Sequence, residues 1–315
     1  VPIIPFALIN GISGIGTGFS CNINSYNPKT VIQYLKSKLQ RKTFATEFVP
    51  YYEGFKGSVA KIGDHKFLIK GLYEKVGEDK IRITELPVGT WTMPYTTFLE
   101  TLMDGSSVDK NGKRVPPSIK DFTSVSTEVA VDFTVIFPRG ALEELENTKD
   151  ATGCNGVEKL LKLTTTVSNT NMHMFNSKFK LHKYTTVEEI IDEYYETRHL
   201  VYQKRKRYLI DAIEKKLLKL SNRARYIQET LSGVIDLRRK STQFVTEMLT
   251  TMNFVKIEGD FKYLVKMPMD SVTEENVRDI MNEKTRTEDE LRLLNATTVE
   301  TMWLNELDVL EKEYD

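Results

Sequence analysis

Cysteine is nearly absent. Cys21 and Cys154 are the only two in 315 residues, and they stand far apart. That excludes a disulfide framework and fits a reducing, intracellular compartment. No apolar run approaches the ~20 residues that span a bilayer, so no membrane partner is expected. The opening VPIIPFALIN is apolar, but it carries Pro2 and Pro5 and lacks the basic leader of a signal peptide. The chain opens on Val1 rather than Met, as expected of a fragment of something longer. Net charge is zero, from 44 basic and 44 acidic residues. That excludes a simple basic DNA-coating protein but leaves local patches open. His65, His173, His182 and His199 are scattered without partners at ligand spacing, so no metal site is expected. Walker A sequences, internal repeats and low-complexity segments are absent as well.

With 40 % hydrophobic and 28 % charged residues, the chain has the composition of a globular protein with a real core, and its patterns predict an α+β fold. The first ~180 residues mix helix and strand patterns. KTVIQYLKSKL (29–39) has helical spacing after an Asn-Pro start signal. Alternation predicts strands over 57–62, 65–76, 79–85 and 129–137. TMPYTTFLETLMDG and ALEELENT read as helices, and 160–176 as one or two strands.

Near residue 185 the grammar changes. Residues 185–232 hold no proline and no glycine, and Ile213, Leu217, Leu220, Ala224, Ile227 and Leu231 step by four and three as a heptad seam. A helix of that length is about 68 Å long at ~1.5 Å per residue, too long for a globular core, so it is expected to be an arm. A short helix near 241–252 and a second run over 272–294 follow, with Thr297 and Glu300 placed as a capping box for a last helix. Residues 198–240 carry 13 Lys/Arg against 4 Asp/Glu, and 271–315 carry 5 against 13. Opposite signs favour antiparallel docking of the two runs. Arg223 and Arg225 are expected to pair with the acidic return, and His199 to be solvated.

NGISGIGTGF (10–19) concentrates Gly11, Gly14, Gly16 and Gly18 around Ile15. Three readings stand on the residues alone. A nucleotide-binding turn needs a strand before it and a helix directly after it, and the flanks offer neither. A tight loop would tuck Ile15 into the core. Alternatively, glycine backbone lies along a nucleic-acid groove while Ile15 enters a base step as a wedge. In KLTTTVSNTN (162–171), Thr164, Thr166, Ser168 and Thr170 alternate, so their hydroxyls can share one strand face with Lys162 nearby. Hydroxyls, amides and lysines are common phosphate contacts. Glu85 of TELP reads as a structural cap or pair.

The block PIIPFALINGISGIGTGFSCNINSYNP (2–28) closely resembles the segment of type IIA DNA topoisomerases that follows the nucleophilic-tyrosine domain. The resemblance continues in order through YYEGFKGSV, IRITELPVGTWT, PPSIKDF, KLTTTVSNTNMHMFN, YTTVEEIIDEYYETRHLVYQKRK, LSNRARYI, FKYLVKMPMDSVT and TTVETMWLNEL. Its style is eukaryotic or large-DNA-virus, and the short tip leans towards a virus. The resemblance implies a tower (shoulder) domain over 1–183 and an antiparallel coiled-coil arm with a small helical tip, the C-gate, over 184–315. It implies that Ile15 intercalates and bends gate DNA, with Gly14, Gly16 and Thr17 around it. It also implies duplex contacts from Lys162, Thr164, Thr166, Ser168, Asn169, Thr170 and Asn171; Lys56 of GFKG is a further candidate. Leu231, Val234, Ile235, Phe254, Tyr263 and Leu264 are candidates for a homodimer contact, with an internal mini-core as the other use of so apolar a tip.

The family's cleaving tyrosine, its neighbouring arginine, the Mg²⁺-holding acidic domain and the ATPase lie outside the matched segment. No catalytic residue is therefore expected here, and Mg²⁺ and ATP would serve the parent enzyme without binding this portion. RARYI contains Arg225-Tyr226, but it falls on the arm helix, where Tyr226 reads as seam or surface. The parent would work in a nucleus or in a viral factory in host cytoplasm. The readings from other classes are a coiled-coil scaffold without a DNA role and a nicotinamide-dependent dehydrogenase, the latter suggested by the glycine loop and by Tyr202 with Lys206.

Overall fold

A computed structural model describes residues 2–105, 116–268 and 271–314. Helix α1 (Phe6–Asn10) stops at Gly11, whose φ of 68° suits glycine and where a Cβ would sit 2.9 Å from the Ile23 carbonyl oxygen. The chain then forms the hairpin β1 (Ile12–Gly16) and β2 (Phe19–Ile23). Asn27 caps α2 (Pro28–Leu39) by accepting from the Lys29 amide, with proline in the first turn. Val31, Ile32, Leu35 and Leu39 form its buried face.

Strands β3 (Ser58–Gly63) and β4 (Lys66–Lys70) follow, then β5 (Leu72–Gly77) and β6 (Lys80–Glu85). The single strand expected over 65–76 is thus two, in different sheets. Gly71 is the break: a Cβ there would lie 2.4 Å from the Glu85 carbonyl oxygen. Helix α3 (Thr92–Asp104) precedes β7 (Asp121–Ser124) and β8 (Phe133–Ile136). The strand expected over 129–137 is shortened because residues 125–132 close a turn, with Val125 and Thr127 amides bonded to Asp132 and Ala130 carbonyls. Helices α4 (Ala141–Asn147) and α5 (Gly156–Leu160) lead into β9 (Thr164–Ser168), β10 (Met172–Phe175) and β11 (Leu181–Tyr184).

The order β5-β6-β8-β7 makes one antiparallel sheet and β3-β4-β9 a second, with two separate hairpins. Ile81, Ile83, Phe133 and Val135 of the larger sheet pack with Tyr95 and Leu99 of α3 and with Leu142, Val157 and Leu161, all buried. Each such side chain contributes roughly 1.5–3 kcal/mol on burial.

Helix α6 (Val187–Leu231) has 45 residues, as the absence of proline and glycine led one to expect. It is followed by α7 (Thr242–Thr251), α8 (Lys262–Val265), α9 (Glu274–Ala296) and α10 (Val299–Tyr314). The chain forms two compact units, 1–195 and 196–315. The first turns of α6 belong to the first unit, where Asp192 accepts from Tyr34 and Glu193 from Tyr184.

In the second unit, Trp303 is fully buried and stacked on Tyr202 at 5.3 Å, and the Arg198 guanidinium lies 4.7 Å from the Tyr202 ring centroid. Arg205–Glu306 (2.6 Å), His199–Glu300 (2.8 Å) and Lys216–Glu283 (2.9 Å) join α6 to the acidic return helices. His199 is thus docked rather than solvated. Tyr202 and Lys206 have structural partners: the Tyr202 hydroxyl donates to Glu306, and Lys206 donates to the carbonyls of Asn295 and Thr297 at the end of α9.

Two expectations fail on detail. Thr298, not Thr297, caps α10 by accepting from the Thr301 amide, while the Thr297 hydroxyl bonds back to Leu293. Arg225 pairs with Glu229, the Met252 carbonyl and the Phe254 ring, all outside the acidic return, and the buried Arg223 Nε has no hydrogen-bond partner among the described residues.

At the tip, Leu220, Ala224, Tyr226 and Ile227 of α6 close a core with Ile235, Val245, Leu249, Phe254, Phe261, Leu264, Val277 and Ile280. Tyr226 is therefore a core residue. Ile235, Phe254 and Leu264 are buried inside this core and offer no surface to a second copy. Of the named dimer candidates, Leu231 and Val234 are exposed and Tyr263 is half-buried.

Candidate nucleic-acid interface

Ile15 stands near the end of the β1–β2 hairpin, paired across with Ser20, and is 94 % exposed. The core-loop reading is thereby overturned. A strand, not a helix, follows the glycines, which removes the nucleotide-turn reading too. Thr17 and Gly18 make the two-residue turn, with Gly18 at φ 83°. Because side chains alternate, Ser13, Ile15, Ser20 and Asn22 share one face, and Gly14, Gly16, Phe19 and Cys21 the other.

The glycines differ in what they permit. A Cβ on Gly16 would touch the Phe19 ring at 3.0 Å. A Cβ on Gly14 would meet nothing within 4 Å, and Gly14 is not in the left-handed region. Nothing among the described residues demands glycine at position 14; a close external partner would.

The structure brings the hairpin and the Thr-rich strand together. The Asn22 amide donates to the Asn171 carbonyl at 2.8 Å, and the Asn171 side chain donates to the Ser20 hydroxyl at 2.8 Å. Asn24 donates to the Ser168 carbonyl at 3.1 Å. His173 Nδ1 lies 2.8 Å from Asn171 Oδ1. Asn169 is nearly buried, with its side chain 2.9 Å from His65 Nδ1, so it braces the strand end. Thr166, Ser168 and Thr170 are exposed and Thr164 is half-buried.

Register adds a residue that the sequence reading missed. In β4, Lys66 pairs with Ser168 and Lys70 with Thr164, which puts both lysines on the hydroxyl face. Lys70 is occupied: burial pulls its pKa down, but the Glu158 carboxylate 3.1 Å away raises it on balance. Lys66 is exposed. Only pairing with β9 reveals it, since alternation within HKFLIK does not name a face. Lys162 sits beside the strand with its ammonium 4.2 Å from the Phe98 ring centroid. Lys56 is exposed just before β3, and its amide donates to Glu85, which is structural as expected.

An exposed isoleucine at the end of a braced hairpin, beside a strand of hydroxyls, amides and lysine, offers the residue types that bend and grip a duplex. Solved structures and known proteins agree on the class. The fold matches the crystal structure of the Plasmodium falciparum topoisomerase II DNA-binding, cleavage and re-ligation domain with a TM-score of 0.83 and 31 % identity, over 99 % of this chain and 44 % of that one. DNA topoisomerase 2 of Arabidopsis thaliana is 31 % identical over 100 % of this chain and 23 % of its own length. DNA topoisomerase 2 of Acanthamoeba polyphaga mimivirus is 30 % identical over 100 % of this chain and 29 % of its own length. The family model for the A subunit of DNA gyrase/topoisomerase IV matches residues 1–308, and the chain belongs to that family. It spans about a quarter of the length of these curated relatives.

Among the described residues, no group of three or more His, Cys, Asp or Glu is placed to hold a metal ion. No helix among the described residues is long and apolar enough to cross a membrane.

Proposed function

We propose that this chain is the tower and C-gate portion of a type II DNA topoisomerase, an enzyme that passes one duplex through a transient double-strand break in another. Residues 1–183 form the tower and 184–315 the arm and exit gate. The tower bends the gate duplex by inserting Ile15 and grips its phosphates through Lys162, Thr164, Thr166, Ser168, Thr170 and Asn171, with Lys66 added on the same face. Gly14, Gly16 and Thr17 allow close backbone approach, and Lys56 extends the basic rim. The arm closes the exit gate as a homodimer, with Leu231, Val234 and Tyr263 as its contact. ATP and Mg²⁺ serve the parent enzyme through its other domains, in a nucleus or a viral factory.

The observation that carries this reading is the exposure of Ile15 on a hairpin locked by Asn171 to the segment between β9 and β10. An apolar side chain held rigidly in water gains nothing for the fold, and gains much between unstacked bases. The test is ATP-dependent unlinking of DNA circles by the complete protein, with and without Ile15→Ala. Loss of cleavage and bending in a folded variant supports the wedge. Unlinking that is indifferent to the substitution returns Ile15 to the surface, and a protein that never unlinks circles leaves the coiled-coil scaffold as the better reading.

A further inference from the structure

The β10–β11 hairpin shows a second feature that the fold does not explain. Phe179 has φ 58° and is 88 % exposed. A bulky residue in the left-handed region is strained, and glycine would sit there freely. Nor does burial compensate, since the ring faces water. Phe175 and Leu181 pair directly across the hairpin and are exposed too, so three exposed apolar side chains cluster in sequence at the hairpin's end.

The turn is hydrogen-bonded on both sides. The Asn176 side chain accepts from the amides of Lys178 and Lys180 at 3.0 Å, and the Phe179 amide donates to the Asn176 carbonyl at 2.9 Å. Glu193 accepts from the Ser177 amide at 2.6 Å and from the Tyr184 hydroxyl, tying the hairpin to α6.

Charge identifies the partner. From 159 to 187 the chain has five lysines and no Asp or Glu, where 44 acidic residues in 315 would place about four in 29 positions. That stretch runs through β9, β10 and β11. Lys178, Lys180 and Lys183 are exposed. An apolar tip ringed by lysines suits a polyanion with apolar edges, which describes a nucleic-acid groove.

Position points the same way. Asn171, His173 and Phe175 alternate onto one strand face, shared across the hairpin by Leu181 and Lys183. Phe175 lies four residues past Asn171, about 13 Å at ~3.3 Å per residue. Along a duplex that is roughly four base pairs at ~3.4 Å each.

We infer that the β10–β11 hairpin is a second duplex-contacting element, with Phe179 and Phe175 against the groove and Lys178, Lys180 and Lys183 on the flanking phosphates. It lengthens the grip beyond the Ile15 wedge, and it rests on the DNA-gate reading above.

Hydroxyl-radical footprinting of the complete protein on a linear duplex tests it. Phe175→Ser with Phe179→Gly is expected to lose protection over the outer ~4 base pairs and keep the centre, whereas Ile15→Ala alters the centre. Replacing Lys178, Lys180 and Lys183 by Gln is expected to flatten log K against log salt by about 2 to 3, at ~0.9 per phosphate. Phe179→Gly relieves φ and should not lower the melting temperature, so its losses cannot come from misfolding. An unchanged footprint and salt slope overturn the inference. So does a hairpin variant that changes sedimentation but not the footprint, which makes the tip a protein contact. A native protein that leaves no footprint overturns the DNA-gate reading itself.

Discussion

Ile15 and Trp303 are both large apolar side chains, and the chain treats them in opposite ways. Trp303 is fully buried on Tyr202, and the residues around it are paired: Arg205 and Tyr202 with Glu306, His199 with Glu300, Lys206 with two helix-end carbonyls. Around Ile15 the backbone, the asparagine side chains and two histidines are paired, and Ser168 and Thr170 share a hydroxyl contact at 3.4 Å, while the isoleucine, Thr166, Ser168, Thr170 and Lys66 remain exposed. The packing around Trp303 closes within the chain. The hairpin and its neighbouring strand are a region whose frame closes and whose surface does not. Stability and binding should therefore separate cleanly between the two.

The largest expected effect is on the arm. Trp303→Ala should cost about 3–5 kcal/mol by cavity formation, read by denaturant unfolding. A loss under ~1 kcal/mol would mean the stack is not the arm's anchor. Next is Ile15→Ala, expected to leave stability within ~0.5 kcal/mol while DNA bending, followed by energy transfer across a labelled duplex, falls severalfold. A matching loss of stability would erase the contrast. Gly14→Ala sharpens it further: the fold should be unchanged or gain ~0.4–1 kcal/mol, and duplex affinity should drop. Unchanged affinity would show that the duplex keeps its distance there. Arg205→Gln should cost only about 0.5–1 kcal/mol, since both partners are partly exposed. Its non-additivity with Glu306→Gln in a double-mutant cycle is the check.

The smallest effect is acid loosening of the β10–β11 hairpin. The Tyr184 hydroxyl and the Ser177 amide hold the Glu193 carboxyl below its usual value of 4.5. A depressed folded pKa means stability that is present above 4.5 and lost as pH falls through the lower, folded value. The Ser177 amide resonance should shift in that acid window. A flat titration would remove Glu193 from the tether.

How much of this was legible depended on the range of the interactions. Helix α6 could be read to within a few residues because proline and glycine are local signals. The arm's docking could be read from charge sums, but its pairs could not: Arg225 turns to Glu229 and Met252, partners set by tip packing. The strand over 65–76 split at Gly71 because of a carbonyl from Glu85, which no local pattern encodes. The hairpin at 12–23 was hidden because glycine is depleted in strands. At the candidate site, alternation was enough to place Thr166, Ser168 and Thr170 on an exposed face, with Thr164 half-buried. Lys66 needed the β4–β9 register, and Phe179 needed a backbone angle.

The two tryptophans also make the chain its own optical instrument. Trp91, at the start of α3, is 77 % exposed and should emit at long wavelength both folded and unfolded. Trp303 is shielded and should shift to the red only when the arm opens. Within this chain, Trp91→Phe would leave a single emitter, so the melting of residues 196–315 could be watched by fluorescence with no label attached and without a signal from residues 1–195.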